Sequence, residues 1–218
     1  NMVINVRPPA TDLIVDEKRG LDEAWKTFIM LGAAVVFYVF MMGPWGFLKD
    51  WQRAATQFSI LKYIATSATF CLVILPMIYG IFVLASHWLN KDERITFKKL
   101  FLNHSYGLAP LGLLTWIAFC FGFLLPSGSY VIGVTSDPFA WGWDLFGTAD
   151  FPWTPFLTYY MPFLQIIALL FGLIFSIDIG TKISRQMYAD KGQAVITFVP
   201  IFAFMVLWTI TMLWLFLW

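Results

Sequence analysis

Two histidines, two cysteines and a few carboxylates set among apolar residues are what this sequence offers for ligation or proton chemistry. His87 lies in Ser-His-Trp-Leu-Asn and His104 in Leu-Asn-His-Ser-Tyr-Gly, each beside a long apolar run. Two imidazoles at one membrane depth on successive helices could ligate a b-type haem between them or contact a quinone; polar anchoring at the membrane surface is the plainer alternative. A copper or zinc site would need a third ligand from a carboxylate or from another chain. Asp178 is the deepest carboxylate and stands four residues before Lys182, a helical spacing at which the two can pair. An ion pair at the membrane surface and a proton or quinone role are both open to it. Cys71 and Cys120 sit in apolar runs, and there is no CxxC or CxxCH. The expectation is therefore no metal site and no cofactor on this chain, with any iron–sulfur cluster or haem held by partner chains.

A second cluster of chemistry lies in the segment from Pro126 to Pro155, PSGSYVIGVTSDPFAWGWDLFGTADFPWTP, which has three Asp, no Lys or Arg, and aromatic residues throughout. Ser136-Asp137-Pro138 and Thr148-Ala149-Asp150 read as turn or cap signals around a short amphipathic piece. Aromatic patches of this kind mark interfaces, so Asp137, Trp141, Trp143, Asp144 and Trp153 are candidate contacts for a partner. The alternatives are a lid over the chain's own helices and a metal set built from Asp137, Asp144 and Asp150.

The elements that must position these residues follow from composition. Of 218 residues, 60% are hydrophobic and only 12% charged, against roughly 25% charged in an average soluble domain. Mean hydropathy is +0.74. The sequence predicts an all-α polytopic integral membrane protein with about five spans, near residues 27–47, 60–89, 106–125, 155–179 and 194–218. Residues 1–26 form an extended or amphipathic segment in the cytoplasm, and 126–154 an aromatic-rich outer loop. The first 26 residues hold nine of the charged side chains and lack the basic start and apolar core of a signal peptide.

Lys and Arg number four before the first span, three around the first connection, four in the second, none in the third and three in the fourth. The positive-inside rule then selects N-terminus inside and C-terminus outside. Trp141, Trp143, Trp153 and Trp214 gather on the outer side, and Trp25 and Trp88 on the inner side, as in an aromatic belt. A formal charge of +1 leaves no basic excess for a nucleic acid, so the partners expected are the bilayer and other membrane or extracytoplasmic subunits. Small residues, among them Gly32, Gly107, Gly112, Gly172 and Gly180, suit close helix packing.

The runs RPPATDLIVDEKRGLDEAWKTFIMLGAAVVF, GPWGFLKDW, HSYGLAPLGLLTWIAF and SDPFAWGWDLFGTADFPWTP resemble the C-terminal membrane portion of polytopic bacterial 4Fe–4S membrane ferredoxins, of the type associated with nitrate and nitrous oxide reductases. The cluster cysteines of that family are absent, so no cluster ligand carries over. The resemblance implies a bacterial inner-membrane subunit of a respiratory complex, with electron transfer between quinone and a cluster-bearing or extracytoplasmic partner. A small transporter or channel component and a membrane metallo-oxygenase or haem subunit are the competing functions. The first would need facing polar residues at mid-bilayer, where Thr66, Ser67, Thr69, Thr115, Gln165, Thr209 and Thr211 are sparse. The second would need His87, His104 and a carboxylate to converge.

Overall fold

The computed structural model describes residues 20–42 and 59–217. Among the described residues, five helical segments are long and apolar enough to cross a bilayer: Leu21–Phe40, Ile60–Leu89, Phe97–Ser127, Thr158–Met187 and Lys191–Leu217. The chain is an all-α polytopic integral membrane protein, and no strand occurs among the described residues. Backbone polar groups in hydrocarbon must be satisfied within the segment, which is why apolar runs of this length become helices.

The first span is α1 (Leu21–Phe37), ending in a π turn at Tyr38–Met42. The second joins α2 (Ser59–Thr69) through a π turn (Phe70–Ile74) to α3 (Leu75–Leu89). Pro76 explains the second turn. It has no N–H for the carbonyl four residues back, and the Leu75 N–H instead reaches Phe70 O, widening the helix by one residue.

The third span is α4 (Phe97–Gly107) and α5 (Ala109–Ser127), interrupted at Leu108 ahead of Pro110. The helix begins at Phe97 rather than near Tyr106 because Thr96 caps it, its Oγ1 accepting the Lys99 N–H at 3.4 Å. A short α6 (Tyr130–Ser136) follows, then an irregular segment that leads into α7 (Met161–Met187). Residues 155–157 are not helical, Leu157 taking a left-handed φ of 53°, and α7 instead runs on past Ile179 to Met187. Asp178 is thus well inside the helix. The fifth span, α8 (Lys191–Leu217), starts where Asp190 accepts the Gly192 and Gln193 N–H groups. Part of the expected first span, residues 43–47, lies outside the described residues, as does most of the amino-terminal segment.

α7 is central, packed between α5 and α8, with α8 also against α3 and α1 against α5. Gly107 and Gly180 mark one close crossing: a Cβ on Gly107 would stand 3.3 Å from the Gly180 Cα, and one on Gly180 would meet the Phe198 ring at 2.5 Å. Without a hydrophobic driving force between helices in lipid, such close backbone approach supplies the van der Waals attraction. The core is aromatic. Tyr79, fully buried, is ringed by Phe28, Phe101 and Phe204 at centroid distances of 5.1–5.2 Å. Side chains also reach backbone groups across helices. Ser176 Oγ accepts the Leu111 N–H at 2.9 Å beside the Pro110 break, and Ser86 donates to Thr197 O, tying α3 to α8.

Candidate functional site

The segment between α5 and α7 is knitted from its own backbone. Ser136, at the last position of α6 and fully buried, is its hub. Its hydroxyl donates to Asp144 Oδ1 at 2.8 Å, and its oxygen accepts the Phe146 N–H at 2.9 Å and, more weakly, the Thr148 N–H at 3.4 Å. Asp144 Oδ1 also accepts the Ala149 N–H at 3.0 Å. These donors, the Ala149 amide first and the Ser136 hydroxyl next, hold the Asp144 carboxyl below its ordinary value of 3.8.

Asp137 closes the turn before it, accepting the Trp141 and Gly142 N–H groups at 2.9 and 2.8 Å on its two oxygens. The chain reverses here through Ala140 and Gly142, both at positive φ. Two further bonds moor the segment to the end of α5 and the start of α6: Trp153 Nε1 donates to Pro126 O at 2.8 Å, using a carbonyl near the end of α5, and the Thr154 N–H reaches Ser129 Oγ at 3.0 Å just before α6.

The rings face the other way. Phe139 stacks on Trp141 at 4.9 Å, and Trp143 meets Trp141 edge-on at 5.0 Å. Trp141 and Phe146 nevertheless remain 68% and 72% exposed, with Trp153 and Phe139 also open. Of the readings raised by the sequence, a lid over the chain's own bundle does not describe this surface. Nor do the carboxylates converge: Asp137 and Asp144 are each occupied by separate backbone donors, and no group of three metal-ligating side chains occurs among the described residues.

At the opposite, charged end, His104 is fully buried. Its Nδ1–H donates to Leu100 O at 3.1 Å, since a carbonyl can only accept, which leaves Nε2 to accept the Ser184 hydroxyl at 2.8 Å. The ring stacks on Phe198 at 6.0 Å. His104 therefore ties α4, α7 and α8 together with both nitrogens occupied. His87, half-buried at the end of α3, packs edge-on to Phe97, and its Nδ1 has no hydrogen-bond partner among the described residues. The structure does not bring the two imidazoles to a common partner. Asp178 and Lys182 pair with each other at 2.6 Å on the exposed face of α7.

No family model, curated protein or solved structure matches the chain.

Sequence reasoning placed the aromatic loop, its aspartates and Ser136 as part of a turn, but not Ser136 as the hub, a role that depends on complete burial and on bonds to residues eight to twelve positions on. The Ser-Asp-Pro turn was its local signal. Ser184 had none, because its histidine partner is 80 residues away.

Proposed function

We propose that this chain is an integral-membrane, non-catalytic subunit that works by assembly: a five-helix anchor presenting the Asp137–Trp153 surface to an extracytoplasmic partner of a respiratory complex. The observation that carries this reading is the contrast within that segment, whose backbone is fixed by Ser136, Asp137 and Asp144 while Trp141, Phe146 and Trp153 stand exposed. A fixed scaffold loses little conformational entropy when a partner covers its rings, and aromatic side chains give the largest return on burial. The resemblance to membrane ferredoxin regions supports an electron-transfer setting, with quinone or a cluster-bearing chain as the redox partner. The distribution of Lys and Arg supports an outward-facing aromatic end.

The test is native electrophoresis of membranes carrying the wild-type chain or the Trp141→Ser/Trp143→Ser pair. The expected result is loss of the higher-mass assembly with all five spans still inserted. If assembly is unchanged and only the depth of the loop in the headgroups shifts, the rings are interfacial anchors and the reading fails.

A further inference from the structure

Between the first two spans and α4 lies an apolar groove of about 530 Å³, within the range of about 300–1,000 Å³ of ligand-sized sites. Leu21 and Trp25 of α1 form one wall, Leu72, Pro76 and Gly80 of the second span another, and Phe101 of α4 the third. From Leu72 to Gly80 the groove follows the helix for about 12 Å at 1.5 Å per residue. Its deep end is the π turn, and its other end is the charged side of the membrane.

Among the described residues Lys98 is the only charged one that lines it, and it has no ion-pair partner among them. It stands with Lys99 in the first turn of α4, where no acid is present. Cations at a helix N-terminus oppose the helix dipole, and an anion beside them removes that penalty. The same design recurs on another face: a smaller apolar groove between α7 and α8, of about 260 Å³, has Arg185 as its one charged residue, again toward the charged end. A third, at mid-depth between the first two spans and α8, has no charged residue.

We propose that the groove holds an anionic phospholipid, one acyl chain lying along Leu72, Pro76 and Gly80 and the phosphate against Lys98 Nζ. The lining offers an acyl chain contact on three sides, and Lys98 supplies the charge complement at the depth where headgroups lie. A neutral isoprenoid quinone would match the apolar walls but make no use of the unpaired cation.

The test uses the full chain in nanodiscs of equal phosphatidylglycerol and phosphatidylcholine with identical acyl chains, with the lipid that stays on the protein counted by native mass spectrometry. The wild type should retain phosphatidylglycerol in excess. Lys98→Gln should lower that excess about fivefold, the ratio a single cation near a charged surface supplies, while Lys99→Gln leaves it in place. Gly80→Leu should reduce retention of both lipids; its Cβ has room on the backbone, meeting nothing closer than Phe101 at 4.0 Å, and the rest of the side chain extends into the groove. Equal retention of the two lipids by the wild type, an unchanged ratio in Lys98→Gln, or an equal fall in Lys99→Gln overturns the assignment. So does added menaquinone that displaces phosphatidylglycerol from the wild type.

Discussion

The aromatic end and the charged end of this molecule satisfy their polar groups by opposite means. In the segment between α5 and α7, every described polar contact is local or reaches back to α5: Ser136 to Asp144, Asp137 to Trp141 and Gly142, Trp153 to Pro126. At the charged end the decisive bond, His104 to Ser184, joins residues 80 apart and holds two spans in register. The first arrangement orders a loop and leaves its rings outside. The second buries its polar pair and leaves charges outside. Local bonds can make a surface without stabilising the bundle, whereas the bundle's own specificity rests on a few buried contacts between distant helices.

The largest expected effect follows from that difference. His104→Ala removes a buried ring and leaves the Ser184 hydroxyl and Leu100 carbonyl without it, which should cost the bundle about 2–4 kcal/mol. Unfolding of the purified chain in mixed detergent measures this, and a wild-type midpoint would break the comparison at its charged end. Ser136→Ala should cost about 1–3 kcal/mol, but only locally: protease cleavage between Phe139 and Phe151 should speed up while the unfolding midpoint of the helices stays put. A matching fall in the midpoint would mean that the loop and bundle are one cooperative unit.

A pH titration sharpens the same point. Because Asp144 titrates below 3.8 when folded, its contribution to loop order is fully present above that value and is lost as pH falls through the folded value. Tryptophan emission from the loop should be flat between pH 7 and 5 and change only on acidification below 3.8. A transition already complete at pH 5 contradicts the bonding described for Asp144. The smallest effect is expected from Asp178→Asn. Its ion pair with Lys182 is half exposed on one helix, and such pairs contribute about 0.3–0.5 kcal/mol. A much larger loss of stability would place Asp178 in a drier and more consequential setting than the structure gives it.

How much of this was legible in the sequence depends on whether the signal was local. Long apolar runs announce spans by composition alone, so five membrane-crossing helices could be read directly. The start of α4 could not, because Phe-Lys-Lys-Leu-Phe-Leu-Asn has the polarity of a connection and becomes helix only through the Thr96 cap and the burial of Leu100 and His104. Asp178 fell near the end of the expected span 155–179, but α7 continues past it to Met187. The aromatic loop was visible as an oddity of composition. Its outward-facing rings became clear only once the aspartates were seen to bind backbone amides.

The π turn at Phe70–Ile74 also bears on which neighbour the second span addresses. Tyr63, before the turn, packs on Phe37 and Phe40 of the first span, and Tyr79, after it, packs on Phe28 of the same span. Sixteen residues along a regular helix would point these two tyrosines about 160° apart, on opposite sides. One residue accommodated in the wide turn takes up about 100° of that rotation and leaves them about 60° apart. The turn acts as a phase correction. A single-residue deletion within it would leave a regular helix of fifteen steps, again about 60°, and keep both tyrosines on α1, whereas a one-residue insertion in the regular part of the span would swing one half about 100° off it.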